Sequence, residues 1–280
     1  VAVVLAMISF SIGASFAKTL FPVIGAPATT AYRVGLAALL LVAIWRPWRF
    51  KLTQKSLGTM LLYGLSVAGM NLLFFMSLER LPIGPALAIE FTGPLALALM
   101  HARKPVHFVC VGLAVVGILL LLPLGEQARN LDPIGMALAA VAGVFWALYI
   151  VFGRKLAGVH PGASVSIGMV IAAVIIVPIG VANVGAAMFN PALILPALAL
   201  ALLSSAIPYT LEMFALRHMP ERTFGVMISA DPAVGALAGL IIVHEHLSGQ
   251  QWLAILAVVA AAAGAVATTK KEEAQTLPAE

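Results

Sequence analysis

The sequence predicts an all-α polytopic membrane protein whose ten transmembrane helices form two inverted five-helix repeats. The first observation is composition: the chain is 62% hydrophobic and 10% charged, with a mean hydropathy of +1.07. Apolar runs of about 20 residues recur along nearly its whole length, the length a helix needs to cross a bilayer. The second is the count of segments, five before the polar stretch Gly125–Asp132 and five after it. An odd number of spans per copy makes the second copy enter the membrane upside down, the construction of many secondary transporters. The third is a weak self-similarity at an offset of 138 residues, which carries Leu73, Leu78, Pro82, Pro94, Ala98 and Leu99 onto Leu211, Leu216, Pro220, Pro232, Ala236 and Leu237. Leu and Ala are common here, so the two prolines carry the signal, marking equivalent helix boundaries or kinks.

The spans are expected at 1–22, 27–45, 57–78, 83–100, 106–123, 133–152, 163–184, 192–216, 222–243 and 249–269. Pro27, Pro82, Pro105, Pro133, Pro161 and Pro191 stand at or near helix starts, where a missing N–H costs little. Arg46–Ser56 is the longest polar connection between segments. The organisation follows: a first repeat over 1–124, an inter-repeat loop at 125–132, a second repeat over 133–269 and a polar tail at 270–280. Twenty-four glycines with abundant alanine suit close helix packing in lipid.

Basic residues orient the chain. With a cytoplasmic N-terminus, the inner loops hold Arg46, Arg49, Lys51, Lys55, Arg103, Lys104, Arg154, Lys155, Arg217, Arg222, Lys270 and Lys271, whereas the outer loops hold Arg80 and Arg129. Both termini are therefore expected inside, and removing one span would spoil the asymmetry. The pI near 9.6 is accordingly no nucleic-acid signal. Cys110, the single cysteine, permits no internal disulfide. The chain starts at Val1, and a short preceding stretch is expected.

Ionisable residues inside spans cost about 2.5–3.5 kcal/mol each at a helix centre and so mark candidate sites. They are Lys18, Arg33, Glu90, Glu212 and Asp231. The strings GASFAKTLFPVIGAP (13–27), AGMNLLFFMSLERLPIG (68–84), AIEFTGPLALAL (88–99), LPLG (122–125) and SAIPYTLEMFAL (205–216) resemble the threonine and homoserine exporter branch of the drug/metabolite transporter superfamily, the EamA-like proteins. The similarity runs from Gly13 to the LSGQQWL segment after Glu245, and EFTGP and PYTLEM are its most specific parts. One departure is Asp231 before Pro232, where a longer acid is expected; charge is kept and reach is shortened. The resemblance implies a ten-helix bundle of inverted repeats in a bacterial inner membrane. It also implies outward transport of small neutral amino acids, threonine and homoserine foremost, in exchange for protons, with no cofactor.

A zwitterionic substrate needs a cation or helix N-terminus for its carboxylate and an acceptor or acid for its ammonium. A coupling acid needs burial. Glu90 is the first candidate, mid-span and four residues before Pro94, which cannot donate an N–H to the Glu90 carbonyl. A freed carbonyl beside a carboxylate suits a substrate or proton site; the competing reading is a glutamate tied to Lys18 or Arg33. Glu212 lies four residues after Pro208, with Tyr209 nearby, and competes with a reading in which it pairs with Arg217 or Arg154. Lys18 has the reach to snorkel outward and otherwise serves a substrate carboxylate or a gate. Arg33 is expected to pair structurally with an acid.

Asn71, Tyr209, Trp146 and Tyr149 are neutral candidates. The repeat offset sets Asn71 opposite Tyr209, flanking the pseudo-twofold axis. Trp146 and Tyr149, three apart, share a helix face, as a cavity wall or plain packing. Pro94, Pro208 and Pro232 are candidate kinks or gates. Trp45, Trp48 and Trp252 read as interfacial anchors.

All six histidines, His101, His107, His160, His218, His244 and His246, are expected at or near loops. None forms HExxH, so no metal site is expected, and no GxxxxGK[ST] supports nucleotide use. Ser204 and Ser205 lack a nearby His and Asp and are expected to bond helix backbone. The expected partners are small amino acids, protons and the lipid bilayer, not nucleic acid. The rival readings are a drug or nucleobase exporter of the same superfamily, a membrane-embedded enzyme or sensor, and a structural scaffold.

Overall fold

A computed structural model describes residues 1–50, 53–81, 83–121, 131–185, 190–228, 230–231, 233–234 and 249–276. The side chain of Lys18, all of Pro232 and the histidines at 244 and 246 lie outside that description.

The described residues are helical and contain no strand. The elements are α1 (Ala2–Trp45), α2 (Gln54–Leu78), α3 (Ile83–Glu90), α4 (Thr92–Met100), α5 (Pro105–Leu121), α6 (Pro133–Lys155), α7 (Pro161–Val184), α8 (Ile194–Ala201), α9 (Ile207–His218), α10 (Glu221–Ile228) and α11 (Gly249–Thr276). Among the described residues five helices are long and apolar enough to cross a membrane: Val23–Arg49, Ser56–Leu78, Pro133–Lys155, Pro161–Val184 and Pro191–His218. Shorter apolar helices cover Ala2–Gly13, Pro85–Met100, Pro105–Leu120 and Trp252–Thr268. The chain is thus a helical, multi-pass membrane protein.

Several expected boundaries are corrected. The first two segments follow each other without an intervening loop, as two helical limbs of α1 separated at Gly25, between the two expected spans. Its non-helical φ of 74° and ψ of 168° are open to glycine and strained for other residues. Pro27 supplies no N–H there, and Thr29 and Thr30 turn their hydroxyls back onto the carbonyls of Gly25 and Ala26 at 2.7 and 2.8 Å. The fourth segment is broken at Phe91 into α3 and α4, as Pro94 requires. The eighth segment holds a π turn at Leu202–Ala206 between α8 and α9, and the Ile207 N–H bonds the Leu202 carbonyl. Pro208, directly downstream, has no N–H for the Ser204 carbonyl, which explains why regular helix is interrupted there. Much of the ninth expected segment lies outside the described residues.

Helices of one half pack on those of the other. The first limb of α1 lies on α8 and α9, where Ser9 bonds the Leu203 carbonyl at 2.7 Å. The second limb lies on α7, where Ser166 bonds the Leu41 carbonyl at 3.1 Å. α2 packs on α6 and α7, α5 on α11, and α4 on α6 and α10. α4 and α6 approach closely at two glycines. A Cβ on Gly93 would collide with the Gly143 carbonyl, and one on Gly143 would collide with the Glu90 carbonyl. The carbonyl freed by Pro94 therefore lies against the α6 backbone.

Segments expected in inner loops meet one another at one end of the bundle. Arg154 donates to the carbonyls of Leu216 and Arg217 at 2.8 Å, closing the C-terminus of α9. The His160 ring stacks on Phe50 at 4.3 Å and lies 5.4 Å from Trp45. Trp45, half-buried at the end of α1, packs into this cluster. His107 lies near the loop as expected, buried in the first turn of α5, where Nδ1 accepts from the Arg103 and Lys104 N–H groups. At the opposite end Arg80 donates to Asp132 at 2.9 Å, and Asp132 also caps α6 by accepting from the Ile134 N–H. The Arg80 guanidinium beside it holds the Asp132 carboxyl below the usual carboxylate range.

Candidate functional site

Between the two halves lies a cavity lined by Met7, Phe10, Arg33, Met70, Asn71, Phe74, Phe75, Leu87, Glu90, Trp146, Pro208, Tyr209, Glu212, Ile228 and Asp231. Seven of the polar or aromatic residues singled out in the sequence converge there: Arg33, Asn71, Glu90, Trp146, Tyr209, Glu212 and Asp231. They come from α1, α2, α3, α6, α9 and the stretch after α10. Pro208 joins them, whereas Pro94 is buried in α4 against α10 and α6.

Asn71 is the hub. It is 3% exposed, and its amide nitrogen donates to the Tyr209 hydroxyl at 2.7 Å and to the Val67 carbonyl at 2.7 Å. Its amide oxygen accepts from Nη2 of Arg33. Arg33, also 3% exposed, is held by two aromatic faces, Phe75 at 4.8 Å and Phe10 at 5.9 Å from the guanidinium carbon.

This corrects the expectation that Arg33 pairs with an acid. Among the described residues no acid lies within ion-pair distance of Arg33. Arg33 instead takes an amide and two π faces, because α1 faces Asn71 and Phe75 of α2 at that level. Glu90, 4% exposed, lies within electrostatic reach of Arg33 and Asp231 without touching either. The alternative in which Glu90 is tied to Arg33 is therefore also corrected.

Glu212 accepts a hydrogen bond from the Tyr149 hydroxyl at 2.7 Å. The alternative pairing with Arg154 or Arg217 does not form, since Arg154 is spent on the end of α9. Tyr149 is fully buried, and its ring lies 5.2 Å from Tyr63 and 5.7 Å from Tyr209. Trp146, on the same face of α6, packs on Phe91 at 4.7 Å and closes the cavity wall.

Tyr63 escaped the sequence reading, although a signal existed: the chain has four tyrosines, and Tyr63, Tyr149 and Tyr209 converge. Phe10 and Phe75 also escaped, and nothing distinguishes them from other apolar residues of apolar spans. Ser204 bonds the Leu200 carbonyl at 2.7 Å as expected, whereas the buried Ser205 hydroxyl has no hydrogen-bond partner.

The chain is similar to threonine/homoserine exporter RhtA of Escherichia coli (strain K12), 47% identical over 97% of this chain and 92% of that protein. It is 46% identical to threonine/homoserine exporter RhtA of Salmonella typhimurium (strain LT2), over 96% of this chain and 91% of that one. This chain belongs to the threonine/homoserine exporter family. A model of the EamA-like transporter family matches residues 133–267. A solved crystal structure of a protein 18% identical superposes with a TM-score of 0.73, covering 96% of this chain and 98% of that one, which bears on the fold alone. Membership sets this exporter-family chain among transporters rather than enzymes.

Proposed function

We propose that this protein moves threonine, homoserine and similar small neutral amino acids outward across the bacterial inner membrane by alternating access, exchanging them for protons. The observation that carries the reading is the cavity itself: buried cationic, amide and carboxylate groups from both halves converge in one apolar enclosure. Isolated charges in spans are costly, and a zwitterion and a proton give them partners. The near-full-length similarity to named threonine/homoserine exporters supplies the substrate class.

The proposed architecture is ten spans in two inverted repeats, 1–124 and 133–269, with both termini and the 270–280 tail cytoplasmic. Its support is the symmetry of the packing. The second limb of α1 meets α7, α5 meets α11 and α4 meets α10, while the α2–α6 pairing is mirrored by the first limb of α1 on α8 and α9. The meeting of the basic segments at one end supports the orientation.

Glu90 and Glu212 are the proposed coupling acids. Pro94, Pro208 and Pro232 are the proposed hinges, with the π turn before Pro208 as the yielding point of the second half. Lys18 serves the outer gate in this scheme.

The experiment is radiolabelled threonine flux in proteoliposomes of the purified chain, with and without an imposed pH gradient. Gradient-driven threonine movement competed by homoserine is the expected result. Movement indifferent to the gradient would remove the proton coupling, and no movement of any neutral amino acid would remove the substrate class.

A further inference from the structure

Two buried polar atoms of the cavity residues have no hydrogen-bond partner: Nε of Arg33 and Oδ1 of Asp231. They are opposite in charge and belong to opposite halves of the chain. Three polar neighbours are already engaged. Asn71 is engaged at both ends of its amide, Tyr209 accepts from it, and Glu212 accepts from Tyr149. Buried donors and acceptors are nearly always paired, so two orphans in one enclosure call for a ligand that carries the complementary groups.

We infer that Arg33 and Asp231 are the two poles of a zwitterion site, Arg33 taking the substrate α-carboxylate through its Nε–H and Asp231 taking the α-ammonium. The inference rests on the amino-acid reading above and assigns roles within that same cavity.

The surroundings of Arg33 suit the role. Asn71 holds Nη2, and Phe75 and Phe10 hold the guanidinium by its face, so the plane is fixed while the Nε–H is left open. A guanidinium held this way is preorganised for a carboxylate, where a lysine would act as a mobile point charge. The missing ion pair is part of the same logic: an arginine already neutralised by Glu90 would have nothing to offer an anion. Glu90 stands within electrostatic reach of both poles and is left free to exchange a proton. Threonine and homoserine differ in their side chains and share the α-carboxylate and α-ammonium, so a site that reads these poles admits both.

The test is displacement of labelled L-threonine from the purified full chain by L-threonine, by L-threoninol, which lacks the carboxylate, and by N-acetyl-L-threonine, which lacks the ammonium. The wild type is expected to prefer threonine over each analogue by about tenfold or more. Arg33→Gln should collapse the preference over threoninol to within about threefold and leave the preference over N-acetylthreonine; Asp231→Asn should do the reverse. If Arg33→Gln does not fold, Arg33→Lys keeps the charge and removes the Nε–H, and should weaken the threoninol preference in part.

Equal loss for all probes in a folded variant, or preferences unchanged by both variants, would overturn the assignment while leaving the exporter reading intact. A wild type that binds threoninol as well as threonine would overturn the Arg33 pole directly. A wild type that binds no threonine would overturn the exporter reading and the assignment with it.

Discussion

The Asn71 side chain donates to the Tyr209 hydroxyl at 2.7 Å, and the two residues are 138 positions apart, the offset that aligns the two halves of the sequence. In the proposed inverted repeat these two would be equivalent positions, and a contact between equivalent positions is what a twofold axis between the halves would give. The contact joins α2 to α9 and, through the Asn71 oxygen, to Arg33 of α1. Tyr209→Phe should lower stability by about 1 kcal/mol, the usual worth of a buried neutral hydrogen bond. A double-mutant cycle with Asn71→Ala, read by thermal unfolding in detergent, should show coupling of the same order, and additive losses would mean the contact contributes nothing.

Glu90→Gln should keep the fold and lose gradient-driven transport. The substitution preserves shape and removes the exchangeable proton, and no ion pair is broken by it because Arg33 is held elsewhere. Flux in proteoliposomes at matched and unmatched pH is the measurement. Wild-type response to the gradient in this variant would exclude Glu90 as the coupling acid.

Gly143→Ala should be among the most damaging single-methyl changes in the chain. The added Cβ meets the Glu90 carbonyl, a backbone atom that cannot swing aside. Overpacking of this kind costs about 1–3 kcal/mol. Gly58→Ala, whose Cβ meets nothing within 4 Å, should be neutral or slightly stabilising, because alanine is the better helix former. Unfolding midpoints of the two variants give the comparison.

Arg80 and Asp132 should make stability acid-sensitive at their end of the bundle. The Asp132 carboxyl is held below its ordinary value by Arg80. A lowered folded-state value adds stability above the unfolded value, about pH 3.9, and that contribution is lost as pH falls below it. Both side chains are exposed, so the effect is small and screened by salt. Asp132→Asn should therefore lower the unfolding midpoint slightly at pH 7 and by less at about pH 3. An equal shift at both pH values would assign the effect to helix capping instead.

The sequence by itself determined the membrane class, the helical segments, the proline boundaries and the short set of ionisable residues worth watching. These follow from local quantities: hydropathy is summed over a window, proline removes its own N–H, and a charge inside a span is conspicuous wherever it sits.

What the tertiary structure alone decided is which group each charge meets. Arg33 goes to Asn71 and two phenylalanines rather than to an acid, and Glu212 goes to Tyr149 rather than to Arg154 or Arg217. Such choices depend on how helices distant in sequence are rotated and how closely they approach, as at Gly93 and Gly143. In a bundle with several cations and several acids, composition permits many pairings, and the packing of the helix backbones selects one.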